Sequence, residues 1–128
     1  MLMIPLRDVS SLDKVEFNAS SFAKYCENAD FFSAHLFAVD QQNGTIARHF
    51  CPPPDVLEDP FTGSATGAMA CYLWKYGLIE KPDFVARQGM HLQRPGEGLV
   101  KILGDRHTIS GVEVSGHAVT CLHGELII

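Results

Sequence analysis

The run from Ser64 to Tyr76, Ser-Ala-Thr-Gly-Ala-Met-Ala-Cys-Tyr-Leu-Trp-Lys-Tyr, is apolar on nearly every face when wound as a helix. A helix at the surface of a domain keeps a polar side, whereas one that is apolar all round must be enclosed by protein. This segment is therefore expected to be the central, buried helix. Gly77 suits its left-handed C-terminal cap, and Lys75 suits the negative end of the helix dipole.

The rest of the chain reads mainly as strands that can supply the cover. Met1 to Arg7 already reads as a strand, which raises the expectation that the sequence starts inside a longer protein. Asn18 to Glu27 offers a polar cap followed by Phe22, Tyr25 and Cys26 at helical spacing, a short amphipathic helix. Phe31 to Val39 is rich in aromatic and branched residues, and the Asn43-Gly44 pair after it signals a two-residue hairpin returning through Thr45 to Cys51. Pro52-Pro53-Pro54 ends that strand, because proline cannot donate to a ladder. Segments at Phe84 to Gly89, Leu99 to Leu103, Val112 to Val114 and Ala118 to Ile128 read as further strands. The expected fold is α+β, a curved antiparallel sheet wrapping one central buried helix.

With 128 residues, 46% of them hydrophobic and 20% charged, the chain fits a single domain, 1–128. A formal charge of -5 supplies no basic stripe, so no nucleic acid is expected as a partner. No apolar run reaches the roughly 18 residues that span a bilayer, and no signal peptide is evident. The four cysteines, Cys26, Cys51, Cys71 and Cys121, show no CxxC spacing and read as reduced thiols of a cytoplasmic protein. His117, Val119, Cys121 and His123 share one face if their segment is a strand. Two local ligands fall short of the three or four that zinc takes, so no metal is expected and the four read as packing residues.

The chemistry concentrates in Glu58-Asp59-Pro60-Phe61-Thr62-Gly63-Ser64-Ala65-Thr66-Gly67. Asp59 stands just ahead of a helix whose first amides lack intrahelical acceptors and are free to bind an anion. Gly63 permits unusual backbone conformations and close approach of a ligand, Ser64 offers a hydroxyl at the cap position, and Pro60 holds Asp59 extended. The same residues also have a purely structural explanation: acidic side chains favour the helix dipole by about 0.3 to 1 kcal/mol, with the glycines present for packing. Arg87 and Arg94 read first as exposed charges on a sheet edge, with approach to an anionic substrate the alternative for both and Arg94 the possible substrate contact.

The whole string EDPFTGSATGA closely resembles the Glu-Asp-Pro-x-Thr-Gly-Ser-Ala-x-Gly-Ala signature of the PhzF family, phenazine biosynthesis-like isomerases that share the diaminopimelate epimerase fold. Arg48-His49-Phe50-Cys51-Pro52 is similar to the family's Arg-x-Phe-x-Pro strand, and Gln88-Gly89 with Arg94-Pro95 to its Gln-Gly-x-x-x-x-Arg-Pro segment. Val112 to Val119 resembles its closing Val-x-Val-x-Gly-x-Ala-Val. The resemblance spans nearly all of this chain but only the carboxy-terminal half of the family's chain. It implies Asp59 as the catalytic aspartate, Gly63 and Ser64 as the residues holding the substrate carboxylate, Thr62 as a possible further contact, and no metal or organic cofactor. It also implies that the glutamate and histidine working across from Asp59 come from a first lobe. His35 and His49 fall in no matching motif and receive no role.

The expected activity is therefore proton or hydrogen transfer within a small carboxylic acid, in a cleft completed by a separately encoded first lobe or by a homodimer. In the homodimer, two Asp59 carboxylates share one cleft. The competing expectation is a non-catalytic carboxylate-binding or assembly module left by truncation.

Overall fold

The computed structural model describes residues 1–127. Seven strands form one sheet: β1 (Leu2–Pro5), β2 (Ala34–Val39), β3 (Thr45–Phe50), β4 (Glu58–Asp59), β5 (Asp83–Gln88), β6 (Gly96–Gly104) and β7 (Ile109–Ser115). The order across the sheet is β1-β2-β3-β5-β6-β7, with β4 also paired to β3. Three helices accompany it, α1 (Val9–Asp13), α2 (Ala19–Cys26) and α3 (Gly63–Lys75), together with a single 3-10 turn at Met90–Leu92.

The α+β reading holds, and antiparallel pairs predominate. Two pairs, β1 with β2 and β3 with β5, are parallel. Each joins strands separated in sequence by helix, α1 and α2 in the first case and α3 in the second. A helical crossover returns the chain in its original direction and so makes a parallel neighbour.

Helix α3 packs into the sheet as its composition suggests, but it is not enclosed on every face: Ser64, Ala68 and Lys75 are exposed and Cys71, Tyr72 and Trp74 only partly buried. Ala65, Met69, Ala70 and Leu73 are sealed from solvent, and the last three pack with Phe37, Ala47, Phe84, Ala86, Val100 and Ile102 from four strands. On another side Gly67 brings the helix close to β7, where a Cβ would stand 3.2 Å from Val112. The helix ends as expected, with Gly77 at φ +67. Its start differs: Thr62 occupies the cap position, and Ser64 is the second residue inside the helix.

Two local expectations are corrected. Asn43-Gly44 does not make a two-residue hairpin; Val39 pairs with Thr45, leaving a five-residue loop, 40–44. The Asp40 carboxylate organises it by accepting from the amides of Gln42 and Gly44, each at 2.8 Å, and Asn43 takes the left-handed conformation. Gly44 is needed for proximity, because a Cβ there would lie 2.9 Å from the carbonyl of Val85. The segment 118–127 forms no strand, and Ile128 lies outside the described residues. Its Val119, Leu122, Leu126 and Ile127 are exposed, since no neighbouring strand covers them among the described residues. His117, Cys121 and His123 are exposed as well, so the packing role expected of that face is not found.

The turn before α3 is anchored by Phe61, whose ring lies over two glycines of β6. A Cβ on Gly98 would come within 2.7 Å of Phe61 Cζ, and one on Gly96 within 3.0 Å of its Cδ2. Glycine at these positions makes room for the ring. Gly98→Ala is expected to displace Phe61 and cost about 1–3 kcal/mol, read as a lower denaturation midpoint; an unchanged midpoint would show that the ring does not anchor the turn.

Candidate functional site

The two acidic residues of β4 part company because successive strand side chains point to opposite faces. Glu58 pairs with Phe50 and Asp59 with His49. On the first face Glu58 receives a bidentate grip from Arg48, Nε to Oε1 at 2.9 Å and Nη2 to Oε2 at 2.8 Å. Arg48 Nη1 also donates to the carbonyls of Leu12 and Val15, each at 3.1 Å, and the guanidinium lies 4.8 Å from the centre of the Phe50 ring. Glu58 thus belongs to a structural clamp between α1 and the sheet, which leaves Asp59 as the carboxylate on the α3 side.

Asp59 and the start of α3 are held by two polar links. Thr62 Oγ1 donates to Asp59 Oδ2 at 2.6 Å. Thr62 therefore makes no side-chain cap on its own helix. The Thr66 amide bonds back to the Thr62 carbonyl at 2.9 Å, so the amides of Gly63, Ser64 and Ala65 begin the helix without intrahelical acceptors. The second link is Gln88, fully buried at the end of β5. Its Nε2 donates to the Asp59 carbonyl at 2.6 Å, and its Oε1 accepts from the Thr62 amide at 3.3 Å. Gln88 entered the sequence reading only as a motif letter. Its role is to satisfy both backbone groups of a turn that can pair with neither neighbouring strand.

Gly63 has an ordinary helical conformation, so the backbone freedom expected of it is not used. Open approach is present, because a Cβ at Gly63 would meet nothing within 4 Å. Asp59, Thr62 and Ser64 line one open pocket of about 310 Å³ with Met1, Phe32, His49, Cys51, Asp55 and Val56. A larger pocket of about 540 Å³ between β1, β2 and α3 holds none of the residues singled out from the sequence motif, and its single charged side chain is Arg7. The smaller pocket is the better candidate because the Asp59 carboxylate and Ser64, at the start of α3, line it together. Arg94 is exposed in the loop between Gly89 and Gly96, outside that lining. Among the described residues no group of three or more His, Cys, Asp or Glu is placed to hold a metal ion, and no helix is long and apolar enough to cross a membrane.

His49, left without a role by sequence reasoning, faces Asp59 across the β3–β4 pair. Its Nδ1 lies 3.3 Å from Nδ1 of His35 on β2. Burial, with a smaller contribution from the charge of His49, lowers the pKa of His35 from 6.5 to about 3. Burial also lowers that of His49, against the opposing pull of Asp59 and with the Met1 amino group adding to the fall.

These depressed values carry a definite sign for stability. Between its folded and unfolded pKa a buried histidine is neutral when folded and protonated when unfolded, so its stabilisation is complete above about pH 6.5 and is lost as the pH falls. Denaturant titrations below pH 6.5 are expected to show stability declining toward a limiting slope of about 1.4 kcal/mol per pH unit for each histidine that stays neutral; a flat profile down to about pH 5 would contradict the burial of the pair. Gln88→Leu leaves the Asp59 carbonyl and the Thr62 amide unsatisfied and is expected to cost about 1–3 kcal/mol for each of them, measured by the same titration at neutral pH.

Comparison with known proteins agrees with this architecture. A protein of Clostridium acetobutylicum named an uncharacterised isomerase is 28% identical over 99% of this chain and 44% of its own length. The trans-2,3-dihydro-3-hydroxyanthranilate isomerase of Pseudomonas fluorescens is 37% identical over 64% of this chain and 30% of its own. Among solved structures, a PhzC/PhzF phenazine biosynthesis protein from Clostridium difficile superimposes with a TM-score of 0.70 at 26% identity, covering 98% of this chain and 44% of that one. The chain thus spans less than half the length of the relatives it matches. The sequence profile described as phenazine biosynthesis-like protein matches residues 1–124, and the sheet-wrapped helix with its acidic turn belongs to a member of that PhzC-PhzF family.

Proposed function

We propose that the chain supplies one lobe of an isomerase in which Asp59 moves a proton within a small carboxylic acid. The observation that carries this reading is that Asp59 and Ser64 line one open pocket at the start of α3, whose first amides have no intrahelical acceptor. The helix end holds the substrate carboxylate through those amides and the positive end of the dipole, assisted by the Ser64 hydroxyl. Asp59 accepts a proton as a substrate C–H bond breaks and the electron pair moves into the adjoining π system. Returning that proton to another carbon forms the new C–H bond and restores Asp59. Thr62, bonded to the carboxylate, fixes the oxygen that reacts. The name of one relative makes trans-2,3-dihydro-3-hydroxyanthranilate the first substrate to try.

The cleft is completed by a second body, either a separately encoded first lobe or a second copy of this chain. Support comes from the apolar rim of the pocket, where Phe32 and Val56 are 63% and 70% exposed, and from the exposed apolar side chains of residues 119–127. A water-excluding cover over that rim strengthens every charge interaction within the site.

Turnover of trans-2,3-dihydro-3-hydroxyanthranilate, calorimetric binding of anthranilate and native mass test the reading together. Asp59→Asn is expected to lower the rate by about 10² to 10⁴ while leaving anthranilate bound at the helix end. A variant as active as the parent removes Asp59 from the chemistry. Anthranilate binding by both proteins, without turnover in any assembly, favours the carboxylate-binding module instead, and a strictly monomeric chain that binds nothing excludes both.

A further inference from the structure

The His35–His49 pair is a buried polar arrangement for which the proton transfer assigned to Asp59 has no use. Both residues are buried, His35 wholly inaccessible and His49 at 3% exposure. Their Nδ1 atoms approach to 3.3 Å, so one ring donates and the other accepts. The environment selects which. His35 Nε2 is buried without any partner, along with Ser33 Oγ and Thr45 Oγ1; His49 Nε2 is not among these sealed atoms, and His49 lines the Asp59 pocket.

If His49 were the donor, the His35 hydrogen would sit on Nε2, a buried N–H with no acceptor. Native structures tolerate such an orphan donor less readily than a bare acceptor nitrogen. The favoured arrangement therefore has His35 Nδ1–H donating to His49 Nδ1. That fixes the hydrogen of His49 on Nε2, the nitrogen left for the pocket. Protonating His49 at Nδ1 would force the hydrogen of His35 onto its sealed Nε2, so His35 also opposes a charged His49.

We propose that His49 is a second catalytic residue of this lobe, a neutral imidazole whose Nε2–H donates a hydrogen bond to the negative charge that develops on the substrate, and that His35 is its positioning residue. The inference rests on the isomerase reading above. A neutral imidazole suits this task, since it supplies a donor without competing with Asp59 for the substrate proton; Asp59 still takes and returns that proton, and His49 neither gains nor loses one. The other titratable groups facing His49 are Asp59 on β4, the amino group of Met1, and Asp55 and Cys51 in the same pocket lining. The adjoining turn of α3 contributes only Thr62 and Ser64.

Long-range nitrogen–proton NMR of the histidine-labelled full chain reads the tautomer directly, without a substrate. The expected result is His49 protonated on Nε2, unprotonated on Nδ1, and still neutral below its ordinary midpoint of 6.5. An Nδ1-protonated His49, or one that titrates at its ordinary midpoint or above, overturns the proposal. Kinetics with trans-2,3-dihydro-3-hydroxyanthranilate then separate it from the reading beneath it. His49→Phe is expected to lower kcat on the order of 10²-fold with little change in KM, His49→Gln to restore part of the loss through its amide donor, and His35→Asn to shift the pH profile of kcat. Full activity in His49→Phe beside an inactive Asp59→Asn sinks the role of His49 alone; full activity in both sinks the isomerase reading. If His35→Asn does not fold, the tautomer of the unaltered chain still decides whether His35 is the donor.

Discussion

The site depends on one edge of β3 being shared by two strands. Thr45 to Ala47 pair with β5, and His49 and Phe50 pair with β4. β5 stops at Gln88, opposite Ala47, and β4 ends at Asp59, opposite His49. Between them the chain must leave the sheet and begin a helix, which strands the Asp59 carbonyl and the Thr62 amide. A side-chain amide carries a donor and an acceptor on separate atoms, so it can donate to the first and accept from the second, and Gln88 does both. The position of the carboxylate relative to the helix amides is thus set by a sheet discontinuity and the side chain that closes it.

Gly89, immediately after Gln88, extends the same constraint. It adopts φ +86, and a Cβ there would stand 2.7 Å from the Pro60 carbonyl while colliding with that of Arg94. The loop carrying Arg94 can fold back over the Asp59–Thr62 turn only because this position has no side chain. On the opposite face of β4, the Arg48–Glu58 pair tethers the turn to α1. A buried ion pair is weak evidence for net stability, because desolvation offsets much of the attraction. Its value here is directional: the guanidinium spends its donors on Glu58, Leu12 and Val15, and so fixes which face of the two-residue strand turns toward α3.

Much of this was legible in the sequence because it is written in local patterns. A largely apolar segment identifies α3, Gly77 its end and the acid just before a proline the extended Asp59. The features that escaped notice depend on which strands become neighbours. Gln88 and Asp59 are far apart in the chain, and nothing in their spacing reveals that one completes the backbone pairing of the other. His49 occupies a variable letter of its motif and acquires meaning only from the register that sets it opposite both His35 and Asp59. Asn43-Gly44 misled for a related reason: the glycine answers to the approach of β5 and not to the turn. Segment 118–127 carries strand-like composition, but composition cannot supply a neighbouring strand.

The polar groups of the site are preorganised while its solvent exposure is not controlled, and the two facts belong together. Asp59, Thr62, Gln88 and the first amides of α3 are fixed by short hydrogen bonds and helix geometry within this one chain, so no second body is needed to set their relative positions. What an open pocket lacks is a low dielectric, in which a helix amide or an imidazole N–H acts on developing charge far more strongly than it does in water. The half-buried carboxylate and the sealed histidine pair carry their own desolvation cost already; the rim around Phe32 and Val56 does not. Covering that apolar rim removes water and buries hydrophobic surface in the same event, so on the proposed reading the assembly that completes the cleft also raises the strength of groups already in place. On that reading a first lobe or second copy need not reposition Asp59; its task is to exclude water above it and to bring the complementary groups the substrate requires.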